Sequence, residues 1–433
     1  MFKSLLQYWL RVLSKIILNK YKPDVVGITG SVGKTSAKEA AATVLEKKFN
    51  VRRSPKNYNN EIGVPLTIIG VEKNPRRSVW GWLKVFLKAK KLILMRDKNY
   101  PQILVLEMGA DKPGDIEYLT QLAPCKVGVL TFISHAHTEF FKTIKKIAQE
   151  KKAIISHLRP DGFAVLNFDN DLVMQNAGAT KAEVITYGFK DGADLRATDI
   201  NVLTDEQTGW PIGLNFKVLY KGNTVPIFLP GMIAKSSISS ALASLAVGTI
   251  FGVNLVDGAQ ALGKFSGVAG RMRLIPGIKN TLIIDDTYNS SPEAAKAAVE
   301  ALAQVVIKNG AERYVALGDM LELGLETENA HRELGFKVAE LAIDNLITVG
   351  EAAKYIAQSA KEAGLDEHRI YIFDNSESAG RFLQEKLKEG DVVLAKGSQG
   401  ARMEKIVKEL MAEPLQAEKL LSRQAKEWEN KIY

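Results

Sequence analysis

The chain has 433 residues, of which 46% are hydrophobic and 25% charged, a composition typical of a globular protein with two or three domains. Its single cysteine, Cys125, excludes a disulfide framework and a zinc site built from cysteines, and it fits a reducing cytoplasm. The formal net charge of +9 favours anionic partners. The basic residues are scattered and form no repeat interleaved with aromatics, so nucleic acid is not an expected partner.

Residues 1–20 predict an amphipathic helix, because apolar side chains recur at helical spacing between polar ones. Arg11 and Lys15 lie inside this segment, which excludes a membrane span, and no signal-peptide cleavage site follows. We favour a helix that packs on the first domain, and an anchor at a membrane surface is the alternative. The helix should end at Pro23.

The sequence GITGSVGKTS (Gly27–Ser36) predicts a phosphate-binding loop between a buried strand and an alanine-rich helix. Gly30 and Gly33 let the backbone turn its N–H groups toward an anion. Lys34 would place a positive charge at the outer phosphates, and the Thr35 hydroxyl would bind Mg²⁺. The spacing T-G-x-x-G-K-T departs from the general pattern, since Ile28 occupies the first glycine position.

Two further stretches of the first third are polar or basic. Residues 57–65 form an asparagine-rich loop, and such side chains often satisfy only the local backbone. Residues 76–96 form a second basic and apolar stretch with a face like that of residues 1–20. The two segments are expected either to pair with each other or to lie together on a membrane.

Candidate metal ligands follow two buried strands. The predicted strand Ile103–Leu106 ends in Glu107, and an acid at this position downstream of a phosphate loop can reach the metal. The predicted strand Val127–Leu130 is followed by His135 and His137, two of the five histidines in the chain. A solitary histidine is more often structural, but one just past a strand end in such a domain is a metal candidate.

The remainder of the chain changes character twice. Residues 183–229 contain short alternating runs that predict antiparallel hairpins, and the glycine-rich residues 263–277 predict a hinge. The last third alternates helices with strands, which predicts a parallel, doubly wound sheet. The expected strands are Leu282–Asp285, Tyr314–Leu317, Leu346–Val349, Ile370–Phe373 and Val392–Ala395.

The predicted fold class is therefore α/β. We expect an N-terminal helix (1–22), a central ATP-binding domain of P-loop type with an antiparallel hairpin insertion (23–265), and a C-terminal Rossmann-like doubly wound domain (266–433). Because ligands bind beyond the carboxyl ends of parallel strands, the polar strand ends of the last domain should offer a second face to the ligand. These strand ends are Asp285–Asn289, Gly318–Met320 and Lys396–Ser398.

Taken together, the motifs resemble the Mur ligase family of ATP-dependent amide-forming enzymes in peptidoglycan synthesis. Within it they are most similar to the branch that adds D-alanyl-D-alanine to a UDP-linked muramyl tripeptide. The matching pieces run in family order: TGSVGKTS (29–36), NYNNEIGVPLT (57–67), LEMGA (106–110), LTFISHAH (130–137), QEKKAII (149–155), GRM (270–272), DDTYNSSP (285–292), LGDMLELG (317–324) and KGSQGARME (396–404).

The resemblance implies a mechanism in which ATP phosphorylates a substrate carboxylate and an amine then displaces the phosphate. It implies two Mg²⁺ ions, one held by Thr35 and Glu107 and one by His137 and a carbamylated Lys151. It assigns catalysis to Lys34, Glu107, His137 and Lys151. The implied nucleotide contacts are Gly30, Gly33, Lys34, Thr35, Ser36, Arg271, Asp286, Tyr288 and Asn289, and the implied substrate contacts are Asn59, Asn60 and Lys396.

The sequence also departs from the family pattern. Only about twenty residues precede the ATPase domain, so the domain that grips the UDP-sugar is expected to be missing. The family motif H-N-x-x-N aligns with Ser236, Ser237 and Ser240, which should weaken contacts near adenine, and Phe132 replaces an expected Asn. The open alternatives are a folylpolyglutamate-type or other ligase with a different acceptor, and a non-catalytic nucleotide-binding scaffold. We expect a cytoplasmic monomer, with membrane contact through residues 1–20 and 76–96 as an open possibility.

Overall fold

The computed structural model describes residues 2–55, 58–75, 78–134, 141–424 and 428. Within these residues the strands form two sheets, one of nine strands and one of six. The first sheet contains β1 (Asp24–Thr29), β2 (Val51–Arg53), β3 (Ile103–Glu107), β4 (Val127–Leu130), β5 (Phe163–Asn167), β6 (Glu183–Gly188), β7 (Leu195–Thr204), β8 (Pro211–Tyr220) and β9 (Asn223–Pro230). The second contains β10 (Arg273–Gly277), β11 (Thr281–Asp286), β12 (Arg313–Gly318), β13 (Asn345–Val349), β14 (Ile370–Phe373) and β15 (Val392–Lys396).

Helices cover both sheets. Those of the first half are α1 (Phe2–Tyr21), α2 (Lys34–Leu45), α3 (Gly63–Ile69), α4 (Val79–Leu94), α5 (Asp115–Leu122), α6 (Ile144–Ser156), α7 (Asp171–Met174), α8 (Lys235–Ile250) and α9 (Leu255–Leu262). Those of the second half are α10 (Pro292–Ala303), α11 (Thr327–Glu340), α12 (Lys354–Glu362), α13 (Ser376–Lys386), α14 (Glu404–Leu410) and α15 (Ala417–Leu420).

The first sheet has the order β2-β3-β1-β4-β5-β6-β7-β8-β9. Strands β2 to β6 are parallel, whereas β7, β8 and β9 form an antiparallel meander, so the expected hairpin insertion is present. The expectation that all of residues 183–229 form hairpins is wrong for β6, which pairs in parallel with β5. Its residues Ile185 and Tyr187 are buried, and this burial extends the parallel core by one strand.

One face of the first sheet is covered by two helices rich in small residues. α2 reads KTSAKEAAATVL and α8 reads KSSISSALASLAVGTI, so their backbones can approach closely. A Cβ added to Gly248 of α8 would lie 2.6 Å from Val44 Cγ1 of α2, which leaves no room for a larger side chain. This packing holds α2, which follows the phosphate loop, against the sheet.

The second sheet has the order β10-β11-β15-β12-β13-β14, and all its neighbouring strands are parallel except the pair β10–β11. The stretch predicted as a hinge, residues 263–277, contains strand β10. The residues of this strand pair with β11. Asp286 at the end of β11 lies in register with Lys396 at the end of β15. The polar strand ends therefore meet at one edge of the sheet, as expected for a doubly wound domain.

The two basic, amphipathic segments pack on the first domain and on each other. Leu10 and Ile17 of α1 and Trp82 of α4 enter one hydrophobic core with residues of α3, α5 and α6. The ammonium of Lys20 donates to the carbonyl oxygens of Leu92 and Ile93, at 2.9 and 2.8 Å. The favoured packing of the N-terminal helix is thus observed. In the described part of the chain, none of the helices combines the length and apolar character needed to span a bilayer.

Candidate active site

The phosphate loop joins β1 to α2 through two glycines with positive φ, Gly30 at 154° and Gly33 at 85°. A Cβ added to Gly30 would lie 2.0 Å from Thr131 Oγ1, so a side chain at this position would require the loop to move. Gly33 adopts a left-handed conformation immediately before α2, which L-residues with side chains adopt at a cost. The loop thus turns the first N–H groups of α2 outward, where they can bind an anion.

The segment after β4 holds this loop in place. Ser31 N donates to Phe132 O at 2.6 Å, and Thr131 Oγ1 donates to Val32 O at 2.6 Å. Ser31 Oγ also donates to Ser134 O at 3.2 Å. The loop is consequently shaped before any ligand binds, which removes part of the entropy cost of binding.

Lys34 folds back over the loop. Its ammonium donates to the Gly30 carbonyl oxygen at 2.6 Å and to the Ser31 carbonyl oxygen at 3.3 Å. Burial lowers the pKa of Lys34, while the nearby Glu107 carboxylate opposes that shift. The ammonium is bound only by neutral carbonyl groups in the described residues, so phosphate oxygens are better partners for its charge.

Glu107 ends β3, in register with Ile28 of β1, and is 3% exposed. Its Oε1 accepts a hydrogen bond from Asn59 Nδ2 at 3.1 Å. Within the described residues its buried Oε2 accepts no hydrogen bond and lies 3.7 Å from Lys38 Nζ. A buried, unsatisfied carboxylate oxygen is a suitable ligand for a hard cation such as Mg²⁺. Thr35 is also buried at the start of α2, so the two predicted ligands of the first metal fit that group.

Lys38 was missed by the sequence analysis. It is fully buried, donates to the Ser54 carbonyl oxygen at 2.7 Å and lies 3.0 Å from a Glu39 carboxylate oxygen. The available signal was a lysine one helical turn after Lys34, on an alanine-rich helix. Its charge balances Glu107 without saturating the carboxylate.

Lys151 on α6 is 4% exposed. The preceding residue, Glu150, accepts hydrogen bonds from Gly114 N at 2.7 Å and Ile116 N at 2.8 Å, which fixes α6 against the start of α5. Burial lowers the pKa of Lys151 to about 7, with a further lowering by the ammonium of Lys34. The ammonium groups of the two lysines therefore repel each other inside the protein.

Two other predictions cannot be placed in the same way. His135 and His137 lie outside the described residues. The histidine predicted to bind the second metal ion, His137, is one of them. Among the residues that are described, no three His, Cys, Asp or Glu side chains converge as a metal site. The predicted ligand set also draws on Thr35 and Lys151, which belong to none of these four residue types.

The second sheet contributes a buried ion pair. Lys396 is 1% exposed, and its ammonium donates to Asp286 Oδ2 at 2.6 Å and to the Asn289 carbonyl oxygen at 2.9 Å. The other carboxylate oxygen of Asp286 accepts from Met272 N at 3.2 Å. Most of the hydrogen-bonding capacity of Lys396 is thus used inside the protein. The Asn289 side chain, in contrast, is exposed.

Arg271 and Tyr288 face the phosphate loop from the second domain. The Arg271 guanidinium lies 4.3 Å from the centre of the Tyr288 ring, and among described residues its buried Nε has no hydrogen-bond partner. The charge of Arg271 also lowers the pKa of Lys34. The two cations therefore approach each other across the domain boundary, an arrangement that an anion between them would stabilise.

Arg423 supports the Tyr288 loop from far along the chain. Its guanidinium donates to the carbonyl oxygens of Thr287, at 3.0 Å, and Tyr288. It also pairs with the fully buried Glu404 at 2.9 Å. The sequence offered no signal for this contact, because the two segments meet only in the folded protein.

A cavity of about 350 Å³ opens between the two sheets. The predicted residues that line it are Gly33, Thr35, Ser36, Arg271, Asp286 and Lys396. Its other lining residues include apolar and hydroxyl-bearing side chains, among them Tyr187, Phe189, Ala297, Ala298, Ser236, Ser237 and Ser240. Charged and amide side chains complete the lining, namely Asn167, Asp169, Lys235, Glu293, Glu300 and Gln304. One end can thus bind phosphates, and the apolar side chains can accept a planar base.

Asn59 and Asn60 have different surroundings. Asn59 binds Glu107, whereas Asn60 Oδ1 accepts from Ile62 N and Gly63 N at 3.2 and 2.9 Å and so satisfies the backbone just before α3. The local-backbone interpretation of this loop therefore describes Asn60. Asn59 lies next to the candidate metal ligand.

The comparisons with known proteins agree with this geometry. Residues 28–79 and 86–248 match the family description "Mur ligase middle domain", and residues 270–399 match "Mur ligase, glutamate ligase domain". A relative from Bacillus subtilis, named UDP-N-acetylmuramoyl-tripeptide–D-alanyl-D-alanine ligase, is 30% identical over 94% of this chain and 80% of its own length. The chain belongs to the Mur ligase family. The predicted family and fold class are confirmed.

Other Mur ligases show the same similarity. The Escherichia coli protein of the same name is 29% identical over 89% of this chain and 76% of its own length. The crystal structure of MurF ligase from Thermotoga maritima in complex with ADP is 28% identical, with a TM-score of 0.75 over 93% of this chain and 83% of that one. Both alignments include the two sheets that enclose the cavity.

Proposed function

We propose that this Mur ligase forms an amide bond at the expense of ATP, adding D-alanyl-D-alanine to a UDP-linked muramyl tripeptide. The observation that carries the proposal is the shared cavity, where the phosphate loop faces Arg271, Asp286 and Lys396. The names of the relatives and the ADP bound to the Thermotoga maritima enzyme support the substrates.

In the first step the phosphate loop and Lys34 would bind the outer phosphates of ATP. A carboxylate oxygen of the tripeptide attacks the γ-phosphorus, the new O–P bond forms, and the bond to the β-phosphate oxygen breaks to release ADP. Negative charge accumulates on the transferred group, so Lys34 and Arg271 on opposite sides lower the barrier by electrostatic stabilisation.

In the second step the amine of D-alanyl-D-alanine attacks the carbonyl carbon of the acyl phosphate. The C–N bond forms, the C–O bond to phosphate breaks, and the nitrogen releases a proton to solvent. Phosphorylation is needed because a free carboxylate carries a poor leaving group. Domain closure over the cavity would exclude water, which would otherwise hydrolyse the acyl phosphate.

Thr35 and Glu107 would hold one Mg²⁺, and His137 with a carbamylated Lys151 would hold a second. These ions, when bound, neutralise phosphate charge and orient the transferred group. Carbamylation requires a neutral amine, which forms an N–C bond to CO₂ and loses a proton. The environment that lowers the pKa of Lys151 to about 7 supports this modification at neutral pH.

An amine-dependent phosphate-release assay tests the proposed function. Protein, ATP, Mg²⁺ and muramyl tripeptide should release phosphate only after D-alanyl-D-alanine is added. Release that is indifferent to the amine contradicts the proposal. Release with another amine, such as glutamate, would identify a folylpolyglutamate-type or other acceptor, and ATP binding without turnover across the panel would identify a scaffold.

Three serines of α8 support a narrower proposal on the affinity of the cavity for nucleotide. Ser236, Ser237 and Ser240 line the cavity where the family pattern has H-N-x-x-N. The Ser240 hydroxyl donates to the Ser236 carbonyl oxygen at 3.0 Å, so it is partly used by its own helix. We infer weak contacts to adenine, with affinity supplied mainly by the phosphates. We also propose a cytoplasmic monomer, since one chain supplies both walls of the cavity.

A further inference from the structure

The N-terminal helix α1 carries two apolar stripes. One is buried, with Leu10 and Ile17 at 0% exposure. The other contains Leu5, Trp9 and Ile16, which are 57%, 48% and 42% exposed. Their spacing of four and seven residues places these three side chains on one side of the helix. Core packing explains the first stripe and leaves the second in contact with solvent.

Helix α4 repeats this arrangement. Trp82 and Val85 enter the core, whereas Trp80, Leu83 and Leu87 are 75%, 45% and 55% exposed. The exposed residues are spaced by three and four positions, so they too form one stripe. An exposed tryptophan on each of two helices is costly in water and needs an explanation.

The two helices lie next to each other. The Lys20 ammonium of α1 donates to the carbonyl oxygens of Leu92 and Ile93 near the end of α4, and the Tyr21 hydroxyl donates to Leu92 O at 3.0 Å. Lys20 thereby satisfies terminal carbonyl groups of α4, and its positive charge interacts favourably with the C-terminal end of the helix dipole. The two helices thus form one surface unit, in which each helix packs one face in the shared core and exposes its second stripe.

The charge on this unit has one sign. Neither helix contains an Asp or Glu residue. The exposed lysines include Lys15 of α1 and Lys84, Lys90 and Lys91 of α4. Basic side chains beside exposed tryptophan and leucine are the pattern of helices that lie in the interface of an anionic bilayer. A binding surface for another protein would normally offer both signs of charge at its rim.

We propose that α1 and α4 together dock this protein on an anionic lipid bilayer. Both helices lie flat, because their opposite faces are occupied by the core of the first domain. The tryptophan rings enter the headgroup region, and the lysines reach lipid phosphates. The proposal does not depend on the reaction catalysed, and it places the enzyme at a membrane surface without a spanning segment.

Vesicle flotation of the full chain tests the proposal. The protein should float with phosphatidylglycerol-containing vesicles and remain unbound with pure phosphatidylcholine. Replacing Lys84, Lys90 and Lys91 by Gln should lower the partition coefficient about 100-fold, since each surface charge contributes about 1 kcal/mol. The double variant W80S/L87S should also lose binding, because it removes the apolar contact.

Matched variants elsewhere on the surface provide the controls. The variant L325S/L415S alters two leucines that are 103% and 100% exposed outside this surface, and K308Q/K388Q/K408Q removes three other exposed lysines. Both should float like the wild type. Thermal unfolding and phosphate release without vesicles should be unchanged in all variants, so failed docking stays distinct from a failed ligase assay.

Three results would overturn the proposal. These are equal flotation with neutral and anionic vesicles, equal loss in the control and test variants, or no flotation at all. Sedimentation equilibrium addresses the rival occupant, a second copy of the chain. A dimer that W80S/L87S dissociates, together with absence of vesicle binding, would assign the surface to self-association.

Discussion

The two walls of the cavity treat their charged groups differently. Among the described residues of the phosphate-loop wall, only carbonyl groups bind the Lys34 ammonium, and Glu107 Oε2 accepts no hydrogen bond. On the opposite wall, Asp286 and Lys396 satisfy each other at 2.6 Å. Unsatisfied groups are suited to bind a ligand, and satisfied groups to maintain the fold. Variants on the two walls should therefore fail in different assays.

The largest effect is expected from D286N, which leaves Lys396 buried without its anion. Loss of one partner of a buried pair costs about 3–5 kcal/mol, so the free energy of unfolding in urea should fall by that amount. The double variant D286L/K396M should be less destabilised than the two single variants added together, because no uncompensated charge remains. Additive losses would contradict a coupled pair.

K34A should leave stability almost unchanged and remove activity. Deletion of one preorganised group that stabilises developing charge lowers kcat by about 10²–10³. The measurement is phosphate release under saturating ATP, with urea unfolding as the control. A fall in stability as large as that of D286N would show that Lys34 has a structural role, against our comparison of the two walls.

E107Q should reduce kcat/KM about 100-fold and raise the Mg²⁺ concentration needed for half-maximal rate. Lys38 retains Glu39 and the Ser54 carbonyl oxygen as partners, so the unfolding free energy should change little. N59A removes only the hydrogen bond to Oε1 and is the matched control, with a smaller effect on the Mg²⁺ requirement. Equal Mg²⁺ titrations for wild type and E107Q would exclude Glu107 as a ligand.

The smallest effect is the change in stability per pH unit that Lys151 contributes. Burial lowers its pKa to about 7, so between pH 7 and the ordinary lysine pKa the unfolded chain binds more protons than the folded protein. In bicarbonate-free buffer, stability should rise with pH across this range, by at most about 1.4 kcal/mol per unit from this residue. K151M should lack that contribution. Parallel pH profiles for the two proteins would contradict the assignment.

Local patterns in the sequence were sufficient to predict the phosphate loop. They were insufficient to predict contacts that depend on neighbouring strands. Gly30, Lys34 and Thr35 were predictable because strand, loop and helix follow one another directly. Lys38 was not, since a lysine in a helix is ordinarily solvated and its burial depends on β3 above it. The contact between Gly30 and Thr131 likewise needs two strands to be adjacent.

The fold shows the same division. In the second domain, strands that alternate with helices predicted a parallel sheet, because a crossover helix joins parallel neighbours. Strand β10 was assigned to a hinge because its glycine-rich surroundings hide the pairing with β11. Strand β6 was grouped with the hairpins, although it pairs in parallel with both β5 and β7. Local sequence patterns therefore gave no information about strand pairing between distant segments.

The anchor of the Tyr288 loop has a consequence for biosynthesis. Arg423, which binds the Thr287 carbonyl oxygen, is translated 136 residues after it. While the ribosome is still making the intervening helices and strands, Tyr288 lacks this support. The loop that carries Tyr288 therefore acquires this support only once Arg423 has left the exit tunnel.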